Sequence, residues 1–157
     1  MRAPTISAAF CIALLYSTTG ASAAPLPDGG VTAPEVARVL QSKGFQAEVT
    51  TDKQGDPLVR SSSGGSKFGV YFYECKGQQR CPSIQFSAGF AGTGITAAKV
   101  AEWNHSNRFG RAYQDKDNDP WVEMDVDVEH GAHTEALAND LERWIAVMGA
   151  FMRYIGR

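Results

Sequence analysis

Three groups of residues in this sequence are of the types that bind metal ions or move protons. The first is Asp115, Asp117 and Asp119, whose oxygens alternate as they do at the start of a calcium loop. The EF-hand pattern then requires Gly where this chain has Pro120, and Glu where it has Val126. Because a tight turn between strands uses Asp and Asn equally well, the spacing favours a turn over a calcium site.

The second group is a pair of imidazoles, His130 and His133. A zinc site needs three or four protein ligands, and no Cys or third His lies nearby in the sequence. Gly131 separates the two side chains and disfavours a helix between them. We therefore expect both histidines in a solvated loop.

The third group is a row of acids at alternate positions, which a strand places on one face. Its members are Glu123, Asp125, Asp127 and Glu129. Hydrolysis of a glycosidic bond needs an acid and a base on opposite sides of a cleft, rather than carboxylates in file. We expect a solvated outer face that is partly neutralised by Arg108 or Arg111 from the preceding strand. An acidic docking face for a basic partner is the alternative.

Motifs for nucleotide binding and nucleophilic catalysis are incomplete. The glycine-rich segment 89–94 lies between a predicted strand and a predicted helix, where phosphate loops occur, but its spacing fits neither G-x-G-x-x-G nor the P-loop. No G-x-S-x-G elbow is present, and Cys75 and Cys81 are too far apart for a C-x-x-C motif. The sequence predicts no catalytic residue, no cofactor and no metal.

The composition is that of one globular domain. The 157 residues are 43% hydrophobic and 20% charged, with a formal net charge of −2. Disordered chains combine low hydrophobicity with high net charge, so this class is excluded. A nucleic-acid partner is also disfavoured, because phosphate contacts require an excess of positive charge.

The first 23 residues have the order of a secretory signal peptide. Arg2 precedes an apolar run over residues 6–16, and residues 21–23 (ASA) form a small-residue cleavage site. The apolar run of about eleven residues is short of the roughly 20 that a membrane-spanning helix needs. We expect cleavage near Ala23 or Ala24, no membrane span afterwards, and a periplasmic or secreted protein.

Cleavage changes how the cysteines are interpreted. It would remove Cys11 and leave the pair Cys75 and Cys81. An even number of cysteines in an exported chain is typical of a disulfide. A bridge across so short a loop contributes about 2 kcal/mol in the chain-entropy model.

Hydrophobic periodicity predicts an α+β domain over residues 31–157, with antiparallel hairpins covered by flanking helices. The predicted order is α-β-β-β-β-α-β-β-α, and residues 24–30 (APLPDGG) are predicted to be a flexible linker. Thr32 and Glu35 have the spacing of a capping box for a helix over 32–43. A second helix begins at Thr96 and ends near Asn107, and Thr134 caps the last helix. Strands are predicted at 45–49, 58–61, 67–75, 82–90, 108–114 and 121–129.

The cysteines and the two strands beside them can be tested against each other. If Cys75 lies opposite Cys81, each strand turns its apolar residues to the same side. The facing pairs are then Phe72–Ile84, Val70–Phe86 and Phe68–Ala88 on one side, with Tyr73–Ser83 and Tyr71–Gln85 on the other. A slip of one residue would put apolar residues opposite polar ones, so this register is predicted.

The last predicted helix has more large apolar residues than one narrow stripe can bury. We expect the surplus to form a surface for a protein partner or for self-association. The candidate residues are Trp144, Val147, Met148, Phe151 and Tyr154. A face of the sheet is the second candidate for partner binding.

Several segments together resemble the YbjN family, over residues 31–156. They are 50–58 (TTDKQGDPL), 70–75 (VYFYEC), 84–90 (IQFSAGF), 102–104 (EWN), 108–113 (RFGRAY) and 123–126 (EMDV). The resemblance implies a fold similar to class I type III secretion chaperones. It implies no catalytic residues, since the family is described as a "putative sensory transduction regulator". An exported protein cannot act as a cytoplasmic chaperone, so a shared fold does not transfer that role.

These inferences predict a non-enzymatic, exported protein-interaction or regulatory domain of the YbjN type. A small-ligand-binding or metal-binding periplasmic protein is the alternative. An enzyme that uses the acid row, or the sheet face with Tyr71, Tyr73 and Gln85, is also left open. A third possibility is an envelope-stress protein of unspecified role.

Overall fold

The helices and strands follow one another in the predicted order. The computed structural model describes residues 24–76, 80–130 and 133–157, and the predicted signal peptide lies outside these ranges. Within them the elements are α1 (Ala33–Ser42), β1 (Glu48–Thr51), β2 (Pro57–Ser63), β3 (Ser66–Tyr73), β4 (Ser83–Gly89), α2 (Ala97–Ser106), β5 (Arg111–Gln114), β6 (Pro120–Asp127) and α3 (Thr134–Tyr154).

The strands form one antiparallel sheet in the order β1-β2-β3-β4-β6-β5. The predicted register of β3 against β4 is confirmed: Phe72 faces Ile84, and Tyr71 faces Gln85. The sheet thereby has one apolar face and one largely polar face, as strand alternation requires. Beyond β3 the same register continues, since Lys76 forms a bridge with Arg80 and a disulfide joins the two cysteines.

Helices cover the apolar face of the sheet, and α3 is the central element of this layer. The Trp144 ring stacks on Phe86 at a centroid distance of 5.7 Å and meets Phe68 edge-on at 5.9 Å. Further along α3, Phe151 packs against Trp103 of α2 at 5.0 Å. The third helix, α1, contacts α3 from its other side.

This packing corrects the prediction of a partner surface on the last helix. Trp144 and Phe151 are fully buried, and Met148 and Val147 are buried as well. The apolar stripe is wide because the sheet and two helices contact α3 from different directions. Of the predicted residues only Tyr154 is partly exposed, and its hydroxyl donates to the Lys99 carbonyl at 2.9 Å.

Helix starts agree with the capping signals in two of three cases. At α1 the capping box is present, with the Thr32 N–H donating to Glu35 Oε2 at 2.8 Å. At α2 Thr96 accepts from the Lys99 N–H. The prediction for Thr134 is wrong: the N-cap of α3 is His133, and Thr134 Oγ1 instead accepts from the Ala24 N–H at 3.2 Å.

Two strands begin later than predicted, because tight local turns precede them. Residues 45–47 are not yet strand, since the Phe45 N–H donates to the Leu40 carbonyl and completes the end of α1. Before β5, the Gly110 N–H donates to the Arg108 carbonyl, and Phe109 has a φ of 70°. Such a turn cannot pair with a neighbouring strand.

Residues 24–31 form an N-terminal strap along the domain, where a flexible linker was predicted for 24–30. The Gly29 N–H donates to the Glu129 carbonyl at 3.1 Å, and Val31 and Cys81 exchange both backbone hydrogen bonds at 2.9–3.0 Å. Gly30 is buried with a φ of 102°, and any side chain there would overlap the Cys81 carbonyl. Proline and glycine indicated a linker, but the backbone pairing depends on tertiary neighbours.

Arg80 joins the strap to the disulfide loop. Its guanidinium donates to the carbonyls of Pro27 and Gly30 and forms an ion pair with Glu35, with Nη1 and Oε1 3.1 Å apart. Burial raises the pKa of Glu35, but hydrogen bonds from the Thr32 backbone and from Arg80 outweigh it and hold that pKa below its usual 4.5.

We expect Glu35→Gln to lower the free energy of unfolding at pH 7 by about 1 kcal/mol, since the amide keeps the cap but loses the ion pair. A depressed folded-state pKa stabilises the protein above the usual pKa of 4.5 and ceases to do so as the pH falls through the folded value. Urea unfolding at pH 7 and pH 3 checks this. A difference from wild type that stays the same at both pH values would contradict it.

Both edges of the sheet are short strands, and one of them is covered. The Asn104 side chain pairs with the backbone of β5: its Nδ2 donates to the Ala112 carbonyl and its Oδ1 accepts from the Ala112 N–H, both at 2.8 Å. The amide thus satisfies the two backbone groups of Ala112 that an adjacent strand would use. At the opposite edge, β1 pairs with β2 and with no other strand of the described ranges.

Candidate functional site

The polar face of the sheet, opposite the helices, is the candidate functional surface. No helix or strand of the described residues packs on this side, which we call the open face. Strand alternation sets its composition, because each strand contributes every second residue. Its side chains include Leu58, Arg60, Lys67, Tyr71, Tyr73, Gln85, Ser87, Arg111, Tyr113, Trp121, Glu123 and Asp125.

A groove of about 300 Å³ crosses the open face between Tyr71 and Trp121. Two strand glycines make room for its aromatic walls. A Cβ atom at Gly69 would lie 2.8 Å from Tyr71 Cε2, and one at Gly89 would lie 2.5 Å from Trp121 Cε2. Each ring therefore covers a glycine backbone, as in the aromatic–glycine pairs that stabilise sheets. Ser87 lies at the bottom of the groove, and its small side chain leaves the space between the two rings unfilled.

The Trp121 wall is held in place by the turn before β6. Its Nε1–H donates to Asp115 Oδ2 at 3.1 Å, and the backbone N–H groups of Asp117 and Asp119 donate to Asp115 Oδ1 at 2.9 Å. These hydrogen bonds lower the pKa of Asp115, and the bond from Trp121 has the largest effect. The aspartates that suggested a calcium loop thus form a turn that orients an aromatic side chain.

Beside the groove, a polar cluster surrounds the buried carboxylate of Glu123. It accepts from Arg111 Nη2 at 2.6 Å, from the Tyr113 hydroxyl at 2.8 Å and from the Ser87 hydroxyl at 3.4 Å. The hydrogen bond to Glu123 raises the pKa of Arg111. Burial, followed by the bond to Glu123, raises the pKa of Tyr113. Both shifts favour the ordinary protonated forms of Arg111 and Tyr113 near neutral pH.

A second chain of hydrogen bonds crosses the adjoining strands. The Tyr73 hydroxyl donates to Gln85 Oε1 at 3.2 Å, and Gln85 Nε2 donates to Asp125 Oδ1 at 2.7 Å. Burial, together with the charges of Glu123 and Asp125, raises the pKa of Tyr73. This part of the open face borders a cavity of about 410 Å³. The polar side chains that line this cavity form hydrogen bonds with one another, Tyr73 with Gln85 and both Arg111 and Tyr113 with Glu123.

Two cations on the open face differ from Arg111 in having no partner. Arg60 and Lys67 are exposed, and neither side chain forms a hydrogen bond or an ion pair with another described residue, although Glu48 lies opposite Arg60 on β1. Arg60 also borders two further grooves, of about 340 Å³ towards the β1–β2 turn and about 440 Å³ towards residues 46–48. Arg60 therefore lies where three grooves meet, and the two further grooves are also lined by the acidic residues Asp52 and Glu48.

The remaining sequence candidates lie apart from the groove. His130 is exposed, with Nε2 3.6 Å from a Glu129 carboxylate oxygen, and His133 pairs through its backbone with Pro25. Within the described ranges no group of three or more His, Cys, Asp or Glu residues could hold a metal ion.

The acid row follows the strand only in part. Glu123, Asp125 and Asp127 lie on β6, and of the two predicted arginines it is Arg111 that pairs with Glu123. Arg108 instead stacks on the exposed Phe109 ring at 5.0 Å. In the glycine-rich segment 89–94, the Gly92 N–H donates to Asp119 Oδ1 and closes the loop.

Sequence reasoning missed the groove, although one signal for it was visible. Gly69 and Gly89 each interrupt a strand rich in aromatic and β-branched residues, and a strand glycine often marks a close approach of another group. Which ring fills the space depends on cross-strand pairing, since Trp121 faces Gly89 from β6. Trp121, Arg60 and Lys67 could therefore be recognised as one site only from the folded chain.

The fold and this site define an α+β domain whose antiparallel sheet is covered by helices on one side and carries a groove on the other. The chain belongs to the YbjN family, described as "Putative bacterial sensory transduction regulator", whose model matches residues 32–157. The predicted family and the predicted fold class are thereby confirmed. No helix of the described ranges is long and apolar enough to cross a membrane.

Two solved structures are similar to this chain. The crystal structure of YbjN, a "putative transcription regulator" from E. coli, matches with a TM-score of 0.57 and 16% identity over 80% of this chain and 89% of that chain. The Yersinia pestis type III secretion chaperone SycH, in complex with a stable fragment of YscM2, matches with a TM-score of 0.47 and 13% identity over 73% and 95%. No curated protein sequence matches significantly.

Proposed function

We propose that this chain is an exported, non-enzymatic interaction domain of the YbjN family that binds a protein partner through the open face of its sheet. The observation that carries the proposal is the aromatic groove beside two cations that form no ion pair with a described residue. Exposed apolar surface rimmed by polar groups is typical of binding sites, and it replaces the predicted surface on α3.

The non-enzymatic part of the proposal is supported by how the polar groups of the open face are used. Glu123, Arg111 and Tyr113 bind one another, and Gln85 links Tyr73 to Asp125. A general base must be free to reach the proton that it abstracts. These groups act instead as a fixed polar frame beside the groove.

Export is supported by the signal-like segment 1–23 and by the bridge between Cys75 and Cys81. Disulfides persist in oxidising compartments and are rare in the cytosol. We expect the protein in the periplasmic fraction, beginning near Ala24, with an intact mass two hydrogens below that of the dithiol and no alkylation. A full-length, alkylatable protein retained in the cytosol would overturn the export proposal.

Site-specific photo-crosslinking tests partner binding by the open face. p-Benzoyl-phenylalanine replaces Ser62, which neighbours Lys67 on the open face, or Ala146, which is exposed on the helical side. We expect a discrete crosslinked product from position 62 only, and its loss when Trp121→Ala is added. Equal products from both positions, or none from position 62, would contradict partner binding through this face.

A further inference from the structure

The groove has the size and walls for one large side chain. Its volume of about 300 Å³ lies between Tyr71 and Trp121, with Leu58 at the Tyr71 side. Aromatic rings prefer offset-stacked or edge-to-face contacts with one another, and a ring inserted here gains such contacts on two sides. A small apolar side chain would leave most of this wall in contact with water, so the walls favour an aromatic guest.

The two ends of the groove differ in charge. At the β2–β3 end, Arg60 and Lys67 are exposed and unpaired within the described part of the chain. At the β6 end, the carboxylate of Glu123 is neutralised by Arg111, with their side-chain atoms 2.6 Å apart. Of the described residues that line the groove, Arg60 and Lys67 alone are charged, and Glu48 lies opposite Arg60 on β1 outside this lining. A ligand with its aromatic ring in the groove therefore meets positive charge on one side only, and a carboxylate there would complement it.

The openness of the site favours a polypeptide over a free small molecule. Pockets that retain small ligands enclose about 70–90% of the ligand surface. This groove is shallow and open along the sheet, and it joins two more grooves at Arg60. A chain segment can continue from the groove into these extensions, whereas a single ring would leave both of them empty.

We propose, as a refinement that rests on the function proposed above, that the groove binds an aromatic side chain of an acidic segment in the partner protein. The ring lies between Tyr71 and Trp121, and a neighbouring Asp or Glu carboxylate binds Arg60 and Lys67. Beyond Arg60 the segment continues with residues that need not be acidic, since the adjoining grooves are lined by Asp52 or Glu48 as well as by cations. The partner is thus recognised by an aromatic residue adjacent to negative charge.

Selection of phage-displayed random dodecapeptides on the oxidised protein tests this proposal. We expect the enriched sequences to contain an aromatic residue within two positions of Asp or Glu. Synthetic versions should move the Nε1–H resonance of Trp121 in a saturable way and leave those of Trp103 and Trp144 in place, because both of these indoles are buried. Basic or non-aromatic enriched sequences, or no enrichment, would overturn the proposal.

Matched variants establish the two contacts separately. Trp121→Ala should abolish binding of the selected peptide, and Asp/Glu→Asn/Gln changes in the peptide should weaken it roughly fivefold, as exposed ion pairs do. In the double variant Arg60→Glu with Lys67→Glu, a peptide with Lys in place of its acids should bind more tightly than the original. Equal affinity for the acidic and basic peptides in this variant would refute the charge contact.

The failure of this refinement can be distinguished from the failure of the proposed function. If the position-62 crosslink depends on Trp121 but the selected peptides are not acidic, the open face binds a partner and the acidic-segment inference is wrong. If peptide binding shifts only backbone amides of α1 and α2, both proposals are wrong. A dispersed amide spectrum for each variant confirms that it is folded.

Discussion

Replacing Trp144 with Ala is expected to lower the free energy of unfolding by about 3–5 kcal/mol, the range for truncation of a buried large aromatic residue. The ring is fully buried, stacks on Phe86 and meets Phe68 edge-on, so its removal leaves a cavity between α3 and the centre of the sheet. Because stabilities of small domains are about 5–15 kcal/mol in total, the variant is expected to be marginally folded at 37 °C.

Urea unfolding followed by circular dichroism measures this effect, and two further variants serve as controls. Trp144→Phe keeps an aromatic ring, and the indole N–H that it removes has no hydrogen-bond partner among the described residues, so we expect a much smaller loss. Trp121→Ala removes a partly exposed ring on the other face and is also expected to cost less. A loss below about 1 kcal/mol for Trp144→Ala would contradict the burial of this ring and would support the partner surface that the sequence predicted on α3.

Reduction of the disulfide is expected to have the second largest effect. The cross-link itself contributes about 2 kcal/mol in the chain-entropy model. In addition, Cys81 pairs with Val31 through two backbone hydrogen bonds, and Arg80 in the same loop binds the carbonyls of Pro27 and Gly30. We therefore expect reduction to release the N-terminal strap as well as to lower the free energy of unfolding.

Hydrogen–deuterium exchange with and without dithiothreitol measures the release. The amides of Gly29 and Val31, which donate to Glu129 and Cys81, should exchange faster after reduction, while α3 stays protected. Arg80→Ala in the oxidised protein is the matched comparison, because it removes the side-chain contacts and keeps the cross-link. If the strap keeps its protection after reduction, its anchoring is independent of the disulfide.

The elements that could be predicted are those whose signals are local. The β3–β4 register follows from alternating apolar residues and two cysteines, and the start of α1 follows from the Thr32–Glu35 spacing. Both depend on residues that are neighbours in sequence or across one hairpin. Local physics therefore suffices for most of the fold.

Predictions failed where the decisive neighbour is distant in sequence. Residues 24–30 look like a linker until Glu129 and Cys81 supply backbone partners, and α3 has a surplus of apolar residues until α1 and α2 cover it. The groove is a similar case, since Trp121 reaches Gly89 only after β6 has paired with β4. Packing between strands and between helices determines the structure of these three regions. The hydrophobic periodicity of the sequence carries no information about that packing.

The Asn104 amide has a consequence for how copies of this protein can associate. By occupying both backbone groups of Ala112, it makes β5 a poorer edge for strand pairing than β1, on which no such side chain is found within the described residues. Strand pairing between two copies is then favoured between β1 and β1 about a two-fold axis, which uses the free edge of each copy. Head-to-tail extension through β5 would first have to break both hydrogen bonds of Asn104, so a two-fold β1–β1 pair is the sheet extension that costs fewer hydrogen bonds.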